Sequence, residues 1–86
     1  MIKKVNVIIL GAVNRTMLHE FKGLSVEEAN IIIPTDGFLR INHLGSVLDY
    51  KVQQIVKEVT TIPVTGELNV HIFVNKVSQS DYYLLK

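Results

Sequence analysis

Residues 46–59 read Ser46-Val47-Leu48-Asp49-Tyr50-Lys51-Val52-Gln53-Gln54-Ile55-Val56-Lys57-Glu58-Val59, and the fold class turns on this stretch. As a helix, it places Leu48, Val52, Ile55, Val56 and Val59 on one stripe, with Ser46 as N-cap and Asp49 at the third helical position. As a strand, Leu48, Tyr50, Val52 and Val56 alternate, Gln54 and Glu58 interrupt the row, and a bulge at Gln53-Gln54 restores it. Periodicity favours the helix and β-branched content favours the strand. Because periodicity is the primary signal and propensity a weaker one, the expectation is a helix over 46–59. The expected fold is therefore α+β: an antiparallel sheet of four to six strands with that helix across one face. If 46–59 extends instead, the chain becomes a small all-β barrel or sandwich.

The neighbouring segments supply the strands. Residues 2–10 carry Val5, Val7 and Ile9 on one face and Ile8 and Leu10 on the other, the pattern of a central strand. Gly11 to Asn14 offers a turn into Thr16 to Lys22, where Met17, His19 and Phe21 share a face, so a hairpin is expected. Ser25 and Glu28 have capping-box spacing and predict one helical turn over 26–30. Ile31 to Ile33, then Pro34-Thr35-Asp36-Gly37, then Phe38 to Asn42 look like a second hairpin. Thr60 to Gly66 contains Pro63 and reads as a loop or a short edge strand. Glu67 to Val77 is the cleanest strand, with Leu68, Val70, Ile72 and Val74 inward and Asn69, His71, Phe73 and Asn75 outward.

Composition agrees with a β-rich core. Val, Ile and Thr supply 27 of the 86 residues while Ala occurs twice, and stiff β-branched side chains suit a pleated surface. The length accommodates one compact domain over 1–86, without internal repeats. With no cysteine there is no disulfide framework, thiol nucleophile or Cys-based metal site, which fits a cytoplasmic setting. Lys3 and Lys4 before Val5–Val13 copy a signal peptide only superficially, since Asn6 interrupts the apolar run and no cleavage-like site follows. No stretch approaches the ~20 apolar residues of a membrane span, so no membrane partner is expected.

Functional chemistry is sparse. His19, His43 and His71 are the only imidazoles, and no H-x-H or H-E-x-x-H spacing occurs, although distant strands could bring His19 beside His71. Ser25, Ser46, Ser78 and Ser80 serve better as caps and loop residues than as nucleophiles, and G-A-V-N-R after Gly11 lacks the glycines and lysine of a phosphate loop. Neither a cofactor nor a metal is expected, and the chain reads as a non-enzyme.

Nucleic-acid binding would draw on Phe73 and His71 as a stacking platform, with Arg40 and Lys76 as contacts. The net charge of +1 and the interspersed acids weigh against it. Protein association has more support: 41 hydrophobic residues exceed what a small monomer easily hides. Phe73 and Val77 on the last strand, with Tyr82, Tyr83 and Leu84 in the apolar tail, are the candidate partner-binding residues, for a protein partner or a second copy. Small assembly and host-targeting proteins of bacterial viruses and mobile elements share this general description, but no residue motif ties the chain to them.

Overall fold

The computed structural model describes residues 2–60 and 66–77. Strands β1 (Lys4–Gly11) and β2 (Met17–Leu24) form the first hairpin, helix α1 (Val26–Ile32) follows, and β3 (Phe38–His43), β4 (Ser46–Val59) and β5 (Glu67–Lys76) complete one sheet. The spatial order is β2-β1-β5-β4-β3. All neighbours are antiparallel except β1 and β5, which run parallel from Lys4↔Glu67 to Gly11↔Val74. The expectation of a purely antiparallel sheet is corrected on that one pair.

The sheet curls into a half-barrel. Its two edge strands approach closely enough that the rings of His19 on β2 and His43 on β3 lie 6.1 Å apart. Val5, Val7 and Ile9 of β1 sit level with Leu68, Val70 and Ile72 of β5, and all but the half-buried Leu68 are buried. Tyr50 joins them from β4, and α1 packs its buried Ala29 against the same inner side. Placing β1 and β5 side by side at the centre makes them the most deeply buried strands and removes their inward side chains from water, at about 25 cal/mol per Å² of apolar surface.

The expected helix over 46–59 is overturned: the segment is the longest strand. It pairs with β3 from Ser46 to Lys51 and with β5 from Tyr50 to Val59, and the ladder to β5 shifts register between Val52 and Gln54. That shift is the bulge at Gln53-Gln54 on which the strand reading depends. A helical stripe would bury five side chains but leave the buried strand β5 with an open edge, whereas the bulged strand closes that edge and still turns Leu48, Tyr50, Val52 and Ile55 to the core. The second expected hairpin is also corrected. Ile31 and Ile32 end α1, so Pro34 to Gly37 connects helix to strand. The actual hairpin turns at Leu44-Gly45, between β3 and β4.

Helix α1 forms where its capping box predicts. The Glu28 N–H donates to Ser25 Oγ at 3.1 Å and the Ser25 N–H to Glu28 Oε1 at 3.0 Å. The Ser25 backbone N–H, the larger cause, and the nearby Ser25 side chain hold the Glu28 carboxyl below its ordinary value. No described helix is long and apolar enough to cross a membrane.

Candidate functional site

On the outer side of the sheet, strand alternation and register bring nine residues of β1, β5 and β4 into three cross-strand rows. Asn6, Asn69 and Glu58 form the first row, Ile8, His71 and Val56 the second, and Leu10, Phe73 and Gln54 the third. The element packing on the sheet, α1, lies against β1 and β2 from the inner side. Among the described residues, no helix or further strand packs over this outer grid.

The first row is a chain of hydrogen bonds. Gly23 N–H donates to Asn6 Oδ1 at 2.9 Å, Asn6 Nδ2 to Asn69 Oδ1 at 3.0 Å, and Asn69 Nδ2 to Glu58 Oε1 at 3.3 Å. Each asparagine uses its carbonyl and its amide at once, which fixes both side chains across the strands. The second and third rows are mainly apolar, and Val56 is 38% exposed at their β4 end.

Phe73 has a cationic companion. The turn after β1 is closed by Arg15 N–H to Gly11 O and Gly11 N–H to Thr16 O, both 2.9 Å, with Thr16 N–H donating to Asn14 Oδ1 at 3.1 Å. A Cβ on Gly11 would lie 2.6 Å from Asn14 Oδ1, so a larger residue there would have to push that side chain off the Thr16 N–H. The turn leaves Arg15 at φ 58° and carries its guanidinium carbon to 5.4 Å from the Phe73 ring centroid. A cation at this distance is attracted by the ring's negative face. Arg15, Gln54, Val56, His71 and Phe73 together line one shallow depression.

The expected site residues are not all brought together. Phe73 and His71 share the outer face. Val77 is buried, 8% exposed, with its N–H donating to Asp49 O at 3.0 Å. Lys76 is exposed at the end of β5, level with Tyr50. Arg40 stands on edge strand β3 and grips Asp49 with two bonds, Nε to Oδ1 at 2.6 Å and Nη2 to Oδ2 at 3.0 Å, so its fork is committed within the sheet. Tyr82, Tyr83 and Leu84 lie outside the described residues. His19 meets His43, not His71, because His19 is level with inward Ile9 and His71 points to the other side. No group of three or more His, Asp or Glu side chains suited to a metal occurs among the described residues.

Sequence reading misses Arg15, Val56 and the asparagine row. Arg15 reaches Phe73 only through a positive φ in the turn. The Asn6–Asn69 contact spans 63 residues and depends on the parallel register.

No family model, curated protein or solved structure matches this chain.

Proposed function

We propose that this protein is a non-enzymatic protein-binding and assembly module that self-associates and engages protein through the outer face of its sheet, centred on Phe73. The observation that carries this reading is the Phe73 ring held under Arg15, beside Ile8, Leu10 and Val56, on a face that no described element covers. Aromatic and arginine side chains are the usual anchors of protein interfaces: a ring removes a large area from water while losing few rotamers, and a guanidinium adds a planar fork of donors that also stacks on rings. The hydrogen-bonded row Asn6–Asn69–Glu58 supplies the polar rim that such a centre requires.

A second reading, a small nucleic-acid-binding domain, draws on the same pair, since a ring beside a guanidinium and an imidazole can stack a base. It has less support. Glu20 and Glu58 stand on the same face, and Lys22 is already paired with Glu20 at 3.4 Å.

Sedimentation velocity and native mass spectrometry over a range of concentrations test the first reading. Self-association is expected, and Phe73→Ala should weaken it by about tenfold or more, the scale of an interface anchor. Arg15→Ala tests the same face without removing the ring. Retention of a labelled single-stranded oligonucleotide that falls steeply with salt would transfer the site to the second reading. A monomer at every concentration, retaining no protein from a lysate and no oligonucleotide, would end both.

A further inference from the structure

We infer that two copies of this chain join edge to edge through the half of β4 that lies beyond β3 and that no other described strand pairs on that side, antiparallel about Val56, so that their two sheets become one. This deepens the self-associating part of the proposal above and places the joint on a strand edge beside the Phe73 face.

The lengths of the strands create the edge. β4 has 14 residues, but β3 pairs with it only from Ser46 to Lys51. Val52 N–H then donates to Gly37 O at 2.7 Å. From Gln53 to Val59, β5 is the only described segment whose backbone bonds to β4.

The free groups can be assigned. Bonded and non-bonded pairs alternate along an antiparallel ladder, and a residue's N–H and C=O point to the same side. Val52 points toward β3 and Asp49 toward β5, where its C=O accepts from Val77. The two-for-one bulge opposite Phe73 resets the alternation. Beyond it, Val56 and Glu58 bond to β5, while Ile55, Lys57 and Val59 direct their backbone groups outward. Of the usual defences this edge has the bulge and the inward-facing Lys57, which in the register below is opposed by Ile55 and not by a like charge; it has no proline, and Val59 is 58% exposed.

Register selects the partner. Residues opposite each other must share a sheet face, so a two-fold axis must pass through a residue position. Through Lys57 it would oppose two ammonium groups, and through Glu58 two carboxylates. Through Ile55 it would place Val59 against Lys51, whose position β3 already fills at Phe38. Through Val56 the pairs are Val56 with itself, Ile55 with Lys57, and Gln54 with Glu58. No like charges meet, and Ile55 and Lys57 are the residues whose outward backbone groups bond to no other described segment. A second copy of the same strand therefore fits an edge made from its own sequence. The same axis sets Val56 of both copies side by side, in the row that carries His71.

The chain contains no cysteine, so Val56→Cys introduces a single thiol. Its Cα would face its counterpart across a non-bonded pair at about 4.5 Å, inside the range a disulfide spans. Under oxidised glutathione, Val56→Cys is expected to form a covalent dimer on a non-reducing gel, while Leu44→Cys at the 94% exposed hairpin tip does not. Val56→Lys, on the same exposed position, should weaken the wild-type dimer several-fold in sedimentation velocity with its circular dichroism unchanged. A wild-type dimer that fails to cross-link at position 56 and ignores Val56→Lys, but is dissolved by Phe73→Ala, overturns edge pairing and leaves self-association standing. A wild-type chain that stays monomeric at all concentrations overturns both.

Discussion

Arg15 and Leu44 adopt positive φ, 58° and 52°, where a side chain normally strains against its own backbone. Leu44 precedes Gly45, also at positive φ, in a two-residue hairpin turn whose central positions favour Asn-Gly. Leu44 is 94% exposed and gains nothing from packing. Leu44→Asn should therefore stabilise the fold by about 0.5–1 kcal/mol, read as a higher urea midpoint. Arg15 differs because its strain delivers the guanidinium to Phe73. Arg15→Gly is expected to leave the urea midpoint level or higher while weakening association, so the two measurements should move apart. Glu28 gives a pH signature. Its carboxyl is lowered from 4.5, so the capping box contributes stability above that value and loses it as pH falls through the lower folded-state value. Carbon-13 titration of the Glu28 carboxyl in Ser25→Ala should show its midpoint rising, because that variant loses the side-chain bond.

At the scale of elements, legibility follows how local each determinant is. The capping box is written in four adjacent residues, and β1 and β5 announce themselves by alternation around Val5–Ile9 and Leu68–Val74. The stretch 46–59 satisfies two templates at once, and the deciding fact is the pair of neighbours, β3 and β5, that it must join. Asp36-Gly37 is a genuine turn signal, with Asp36 Oδ1 accepting the Phe38 N–H at 3.2 Å, yet a turn signal does not say what it connects. Of the candidate site, Phe73 and His71 were readable as outward breaks in a clean strand, whereas Arg15 and the asparagine row depend on tertiary register. The bulge at Gln53-Gln54 makes a further prediction, since bulges add twist and bend to a strand. Deleting Gln53 preserves the alternation of Val52 and Ile55 toward the core, so the sheet should still form. It should relax the curl and part the seam, seen as loss of the nuclear Overhauser contact between the His19 and His43 rings.

For the whole molecule, the parallel pair at the centre ties together segments distant in the chain. Asn6 and Asn69 bond across 63 residues, and Val7↔Val70 and Ile9↔Ile72, all fully buried, lie in the same register. The hairpins β1–β2 and β3–β4 can form locally, but neither hides its apolar face until β5 enters between β1 and β4. Loop-closure entropy must be met before that contact is made, so refolding should be a milliseconds-to-seconds process rather than a microsecond one. The same logic makes the two central strands energetically coupled. Ile9→Ala and Ile72→Ala should each cost about 2–5 kcal/mol, a large share of the roughly 4–13 kcal/mol expected for a domain of this size. Because the two side chains are lost from one shared contact, the double variant should fall short of the sum of the single losses by more than the ~0.5 kcal/mol within which independent sites add. Additive losses in equilibrium urea unfolding would mean that Ile9 and Ile72 are each held by other neighbours of the core and not by each other, so that the parallel pair is fixed by its backbone ladder and not by this contact.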